Sequence, residues 1–250
     1  MSWCDKLASV PSVGFIYDPH FVSGDGIIDA IAPMLDKWKV GDKPDFTLSQ
    51  PEPLKIEVQH NNGFTYSFEP TRTSIAYQHR VKFRNVSGSR PVAELISSPQ
   101  PYSQLLDDAI SDIVEIALIL PMAKRRSVKT IGIVTSTHAD EKDIPPGIRK
   151  MIRYLSRPWK SDLDAYLFTI VAEVESAKIH SDRCIHTLTR PDDKEQIPNF
   201  KFDWQRSYSN QVAVEKDTLL RELQRAKKAA LDYFETLAVG DAFDDIVKDA

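Results

Sequence analysis

The chain has 250 residues, 42% of them apolar and 27% charged, which suits a substantial buried core and excludes a disordered chain. A formal net charge of −4 gives no global attraction to nucleic acid or an anionic membrane, so such contacts would have to come from a local patch. Two cysteines, Cys4 and Cys184, make no disulfide framework and point to a reduced, cytoplasmic protein. The longest apolar run, 116–122, is far below the roughly 20 residues that span a bilayer, so neither a signal peptide nor a membrane partner is expected.

In chain order, Val13 to Tyr17 reads as a buried strand. Ile27, Ile28, Ile31, Met34, Leu35 and Trp38 then keep helical spacing to about Val40, with Pro33 a candidate kink, and residues 41–53 read as a loop. Leu54, Ile56 and Val58 alternate with polar residues, Asn61-Asn62-Gly63 turns the chain, and Phe64, Tyr66 and Phe68 alternate again, which predicts a hairpin with one wet face. A third strand is expected from Ser74 to Arg84 and a fourth from Val92 to Ile96.

Leu105, Leu106, Ala109, Ile110, Ile113, Val114, Ala117 and Leu118 predict a long helix with a broad apolar face, stopped by Pro121. Lys124, Arg125 and Arg126 follow it, where positive charge suits a helix C-terminus.

Val128 to Val134 is the next apolar strand, and 145–155 a helix opened by a proline pair. From Asp164 to Glu175 both parities carry apolar residues, so a strand buried on much of both faces is expected. Lys178 to Thr189 and Asn199 to Tyr208 are weaker strands. A final helix, capped by Asp217 and closed by Gly240, shows Leu219, Leu223, Ala226, Ala230, Phe234 and Leu237 on one face.

The fold class is therefore α+β, with antiparallel sheets packed by long helices. Strand, helix, meander and long helix occur twice, over residues 1–122 and 123–250, which together are expected to form one compact body. This order of elements is that of the TATA-binding-protein-like and helix-grip folds, in which sheets cradle long helices, and it fixes no function.

The apolar opening strand, the Ile131-Gly132-Ile133 strand after a long helix, and the Tyr233-Phe234-Glu235 ending of the last helix give a layout that resembles an uncharacterised, sporadically distributed family of prokaryotic proteins of about this length. Where that family continues the middle strand with an Arg-Tyr-Asn-like run, this chain has Val134-Thr135-Ser136. The resemblance implies no activity, and a place in mobile or phage-defence loci.

Four groups of residues invite a chemical reading. His138, Asp140, Glu141 and Asp143 follow a strand end and could serve a metal or acid–base chemistry, although an acidic turn before a helix explains them as well. Asp107, Asp108, Asp112 and Glu115 line one helix side with no histidine at matching spacing, as a solvated face would. His180, Cys184 and His186 share a strand face, but no second ligand pair completes a metal site. Gln78, Arg80, Lys82 and Arg84 share the polar side of the third strand, bracketed by Arg72 and Arg90, and offer donors to phosphate, nucleotide or nucleic acid. Charged strand faces also simply keep sheets soluble.

No phosphate loop, dinucleotide fingerprint, nucleophile elbow or paired Cys motif is present, so no cofactor or metal is expected. The expected function is non-enzymatic: interaction or regulation through a protein partner or self-association. Nucleic-acid binding at the basic strand and catalysis near His138 are the alternatives. Tyr102, Trp159 and Tyr208 are candidate exposed aromatics.

Overall fold

The computed structural model describes residues 2–18, 24–52, 54–84, 92–95, 100–121, 123–159, 163, 165–192 and 197–240. After a short helix α1 (Trp3–Lys6), strand β1 (Val10–Tyr17) alternates between the core, through Val13, Phe15 and Tyr17, and the opposite face, through Ser12, Gly14 and Ile16. Helix α2 (Gly24–Lys37) carries Pro33 within it.

The expected loop at 41–53 is instead a small ribbon, β2 (Lys39–Val40) with β3 (Lys43–Pro44), followed by strand β4 (Phe46–Glu52). Almost all of β4 is exposed, so it lacks the apolar alternation that marks a half-buried strand.

Strands β5 (Lys55–His60) and β6 (Phe64–Glu69) form the expected hairpin. Gly63 supplies its turn with φ near +101°, and a Cβ there would lie 2.8 Å from the Tyr77 ring and 2.9 Å from the Gln78 carbonyl. Strand β7 (Arg72–Tyr77) ends well before Arg84. The rest of the expected third strand is β8 (Val81–Arg84), which pairs with β9 (Val92–Leu95) in a separate ribbon outside the main sheet.

Helix α3 (Tyr102–Ile119) buries the apolar face predicted for it, with Leu105, Leu106, Ala109 and Ile113 fully enclosed. Past its end, a 3-10 turn (Ala123–Arg125) precedes Arg126, which is not an exposed helix-end charge. Its side chain is buried 4.9 Å over the Tyr17 ring and donates to the Pro70 carbonyl at 3.1 Å. Burial lowers its pKa, with the Tyr17 hydroxyl opposing, and it pushes that hydroxyl up to about 12.

Strand β10 (Ser127–His138) is longer than expected, and helix α4 (Pro146–Ser156) starts on the proline pair. Strands β11 (Tyr166–Ser176), β12 (His180–Arg190) and β13 (Asn199–Ala213) form a meander, and helix α5 (Lys216–Val239) closes the described chain. Glu215 occupies the N-cap of α5 and Asp217 sits inside the first turn, so the expected Asp217 cap is corrected. Gly240 ends the helix in the left-handed region as expected.

The architecture is α+β: nine antiparallel strands in the order β11-β12-β13-β10-β1-β7-β6-β5-β4, with helices α3 and α5 packed on one face. At the centre β1 pairs with β10, placing Gly14 opposite Gly132, Val13 opposite Ile133 and Phe15 opposite Ile131. The core under the helices holds residues of both halves: Phe15, Ile56, Tyr66, Phe68, Ile110, Ile113, Ile133, Leu223 and Phe234 are buried. Phe168 and Ile170 are only partly covered. Among the described residues no helix is long and apolar enough to cross a membrane.

Candidate functional site

A sheet of nine strands has two edges, and the two here differ. Strand β4 is broken by Pro51 and by a register shift between Ser49 and Glu52, devices that make a poor template for another strand. Strand β11 has neither proline nor lysine along its eleven residues, and its only acidic side chains, Glu173 and Glu175, lie near one end, where its one register shift against β12 also falls. The expectation of burial on both faces is corrected: Leu167 and Val171 are 68% and 62% exposed. On the other parity Tyr166, Phe168, Ile170 and Val174 are only partly covered, with the Tyr166 and Phe168 rings stacked at 5.2 Å. Apolar residues of both parities therefore line an edge whose outward backbone groups meet no further strand among the described residues.

The face opposite the helices is lined at its centre by small residues. Ser12, Gly14, Ser74, Thr130 and Gly132 leave a shallow recess of about 100 Å³, bordered by Arg72, Asp203 and Gln205. Both signs of charge occur there, which does not build the single-sign field that draws a phosphate backbone.

The predicted phosphate-binding residues do not share one strand face. Gln78 and Arg80 lie in the link after β7, where Arg80 donates to the Asn61 carbonyl and both border a recess of about 320 Å³ that also includes His60 and His79. Lys82 and Arg84 belong to the β8 ribbon, and their side chains fall outside the described residues, as does Arg90.

His138 and the acidic residues after it do not converge. The His138 ring lies against the Asn199 amide at 3.2 Å, Asp140 is 3.9 Å from Lys142, and Glu141 pairs with Arg190 at 2.8 Å. The α3 carboxylates are likewise divided: Asp107 pairs with Lys227 at 2.5 Å, and Asp112 accepts a hydrogen bond from the Tyr66 hydroxyl at 2.6 Å. Partial burial raises the Asp112 pKa, with the Tyr66 bond opposing.

His180, Cys184 and His186 do share the helix-covered face of β12, as their parity predicted. Their surroundings are structural. Burial raises the Cys184 thiol well above its ordinary pKa, opposite to what a reactive cysteine needs. His186 is enclosed, its Nε2 is 3.0 Å from the Tyr233 hydroxyl, and burial lowers its pKa to about 4. Glu175, His180 and Asp182 bring ligand atoms within 4.8 Å of one another. Both Asp182 oxygens, however, already accept from Arg206, at 2.8 and 2.6 Å, so a cation would have to compete with a buried guanidinium.

Two of the candidate exposed aromatics are tied down. Tyr102 is buried and donates to the Val134 carbonyl at 3.3 Å, and the half-buried Tyr208 donates to Glu222 at 3.3 Å; Trp159 alone is exposed. Sequence reasoning missed the β11 edge because strand order is not written in any one segment. The usable signal was apolar Leu167 and Val171 on the parity opposite Phe168 and Ile170. No family model, curated protein or solved structure matches the chain.

Proposed function

We propose that this is a non-enzymatic interaction protein that self-associates through β11, with a second copy of the chain as the occupant. The carrying observation is the long, apolar edge of β11, free of proline and with its one register shift confined to the Glu173–Glu175 end, beside a β4 edge broken by Pro51. The sequence of β11 is self-complementary. In an antiparallel pair centred on Ile170, Ile170 meets its counterpart, Phe168 meets the small Ala172, Thr169 meets Val171, and Leu167 meets Glu173. No like charges face each other in that register, and the partly covered Phe168 and Ile170 gain apolar neighbours.

The same proposal takes residues 1–122 and 123–250 as two copies of one strand-helix-meander-helix unit. Its support is the order outward from the centre, β1-β7-β6-β5-β4 on one side and β10-β13-β12-β11 on the other, about the Gly14–Gly132 pair. On this reading β11 corresponds to β5, whose outer edge is covered by the additional strand β4, and only the second unit has kept that edge open for pairing.

Mass measurement in solution tests the self-association. The expected species is a dimer that Ile170→Lys converts to a monomer, because the change sets two ammonium groups opposite each other while the strand stays at the surface. An unchanged far-ultraviolet circular dichroism spectrum checks that the fold is kept. A wild-type monomer at roughly 100 μM, or a dimer that tolerates Ile170→Lys, overturns the proposal.

A further inference from the structure

A cleft of about 590 Å³ lies between α4 and the start of β11, within the size range of small-molecule sites. Arg149, Arg153 and Arg190 enter it from two elements distant in sequence, and Lys142 joins them. We propose that this cleft binds a small phosphate ester of nucleotide size, with its phosphates on the guanidinium groups and its apolar or aromatic part against Ile152 and Tyr166.

Concentrating three guanidinium groups costs electrostatic repulsion, and an acidic chain has no need of them for solubility. Two of the three are held in place. The Arg149 Nη2 donates to the Ile144 carbonyl at 3.0 Å and sits 3.4 Å from the Lys142 carbonyl; these contacts orient the group and leave its charge. Arg190 pairs with Glu141 at 2.8 Å, the one carboxylate that lines the cleft among the described residues. The Arg153 guanidinium makes no hydrogen bond or ion pair among the described residues.

An arginine anchored by main-chain carbonyls and another held by Glu141, beside a third whose guanidinium has no partner among the described residues, form a prepared anion site, because the fork of each guanidinium fits phosphate oxygens without further ordering. A recess favours a small molecule over a polymer, whose backbone needs an extended stripe. The apolar part has a wall in Ile152, Leu163 and the Tyr166 ring, the last already stacked on Phe168.

Calorimetric titration of the full chain with ADP and with pyrophosphate at low salt tests the site. ADP is expected to bind, to bind more tightly than pyrophosphate, and to weaken as salt rises. Arg153→Glu should weaken it by about tenfold or more without changing the melting temperature, and Arg153→Gln by less. ADP no tighter than pyrophosphate removes the apolar wall from the proposal. No heat with either probe at roughly 1 mM, or the same affinity in Arg153→Glu, overturns it altogether.

Discussion

Gly147 and Gly240 meet backbone to backbone: a Cβ on Gly147 would fall 2.5 Å from the Gly240 nitrogen and 1.9 Å from the Leu237 carbonyl oxygen. The N-terminus of α4 is thereby set against the C-terminus of α5, where the partial charges of the two helix ends attract. Gly147→Ala must push the helices apart, because the atoms in its way are main chain. The expected cost is about 3 kcal/mol, read as a melting temperature lowered by several degrees. Unchanged melting would mean that the two helix ends do not touch.

Burial of His186 makes stability depend on pH in a defined window. Its folded pKa of about 4 lies below the ordinary 6.5, so below pH 6.5 the unfolded chain takes up a proton that the folded chain refuses. Stability is therefore full above about 6.5 and is lost as the pH falls towards 4, by about 3 kcal/mol in total. Denaturant midpoints measured across that range should show the loss, and His186→Phe should flatten it. An equal slope in both proteins assigns the pH dependence to other groups.

Asp182 and Arg206 form a buried bidentate pair beneath α5, with the guanidinium 5.2 Å over the Trp204 ring. The hydrogen bond that Arg206 donates to Asp182 raises the Arg206 pKa against the opposing effect of burial. Asp182→Ala strands a buried cation and should cost about 3–5 kcal/mol, whereas replacing both residues by Leu and Met should cost clearly less. A double variant as unstable as the single one would show that packing around the pair, not the unpaired charge, sets the cost.

Ile113 lies wholly inside the core on α3. Ile113→Asp would bury an unpaired carboxylate and should cost several kcal/mol, enough to unfold a marginally stable chain. A soluble variant that melts with the wild type contradicts the placement of that helix face.

The hairpin of β5 and β6 was legible because alternation and the Asn61-Asn62-Gly63 turn agree, and α3 and α5 because each keeps one apolar face over many turns. Strand β4 was not: the run from Phe46 to Glu52 has no periodicity, and its place comes from pairing with β5. Continuity misled at Tyr77, where alternation runs on through Phe83 while the chain leaves the sheet. The arginine cleft was half visible, since Arg149 and Arg153 are one helical turn apart, but Arg190 reaches it only through the fold. Arg126 gave no warning of burial, because the carbonyl and ring that receive it come from Pro70 and Tyr17.

The seam between β1 and β10 also sets an order of events during synthesis. Residue 14 leaves the ribosome long before residue 132, so the earlier half must wait with Val13 and Phe15 on a strand that has β7 on one side and nothing on the other. That nascent intermediate exposes an apolar edge of just the kind that captures other chains, and chaperone dependence should be greatest there. Release of chains stopped before residue 127 should give aggregates, while chains extended past residue 138 bring their own closing strand.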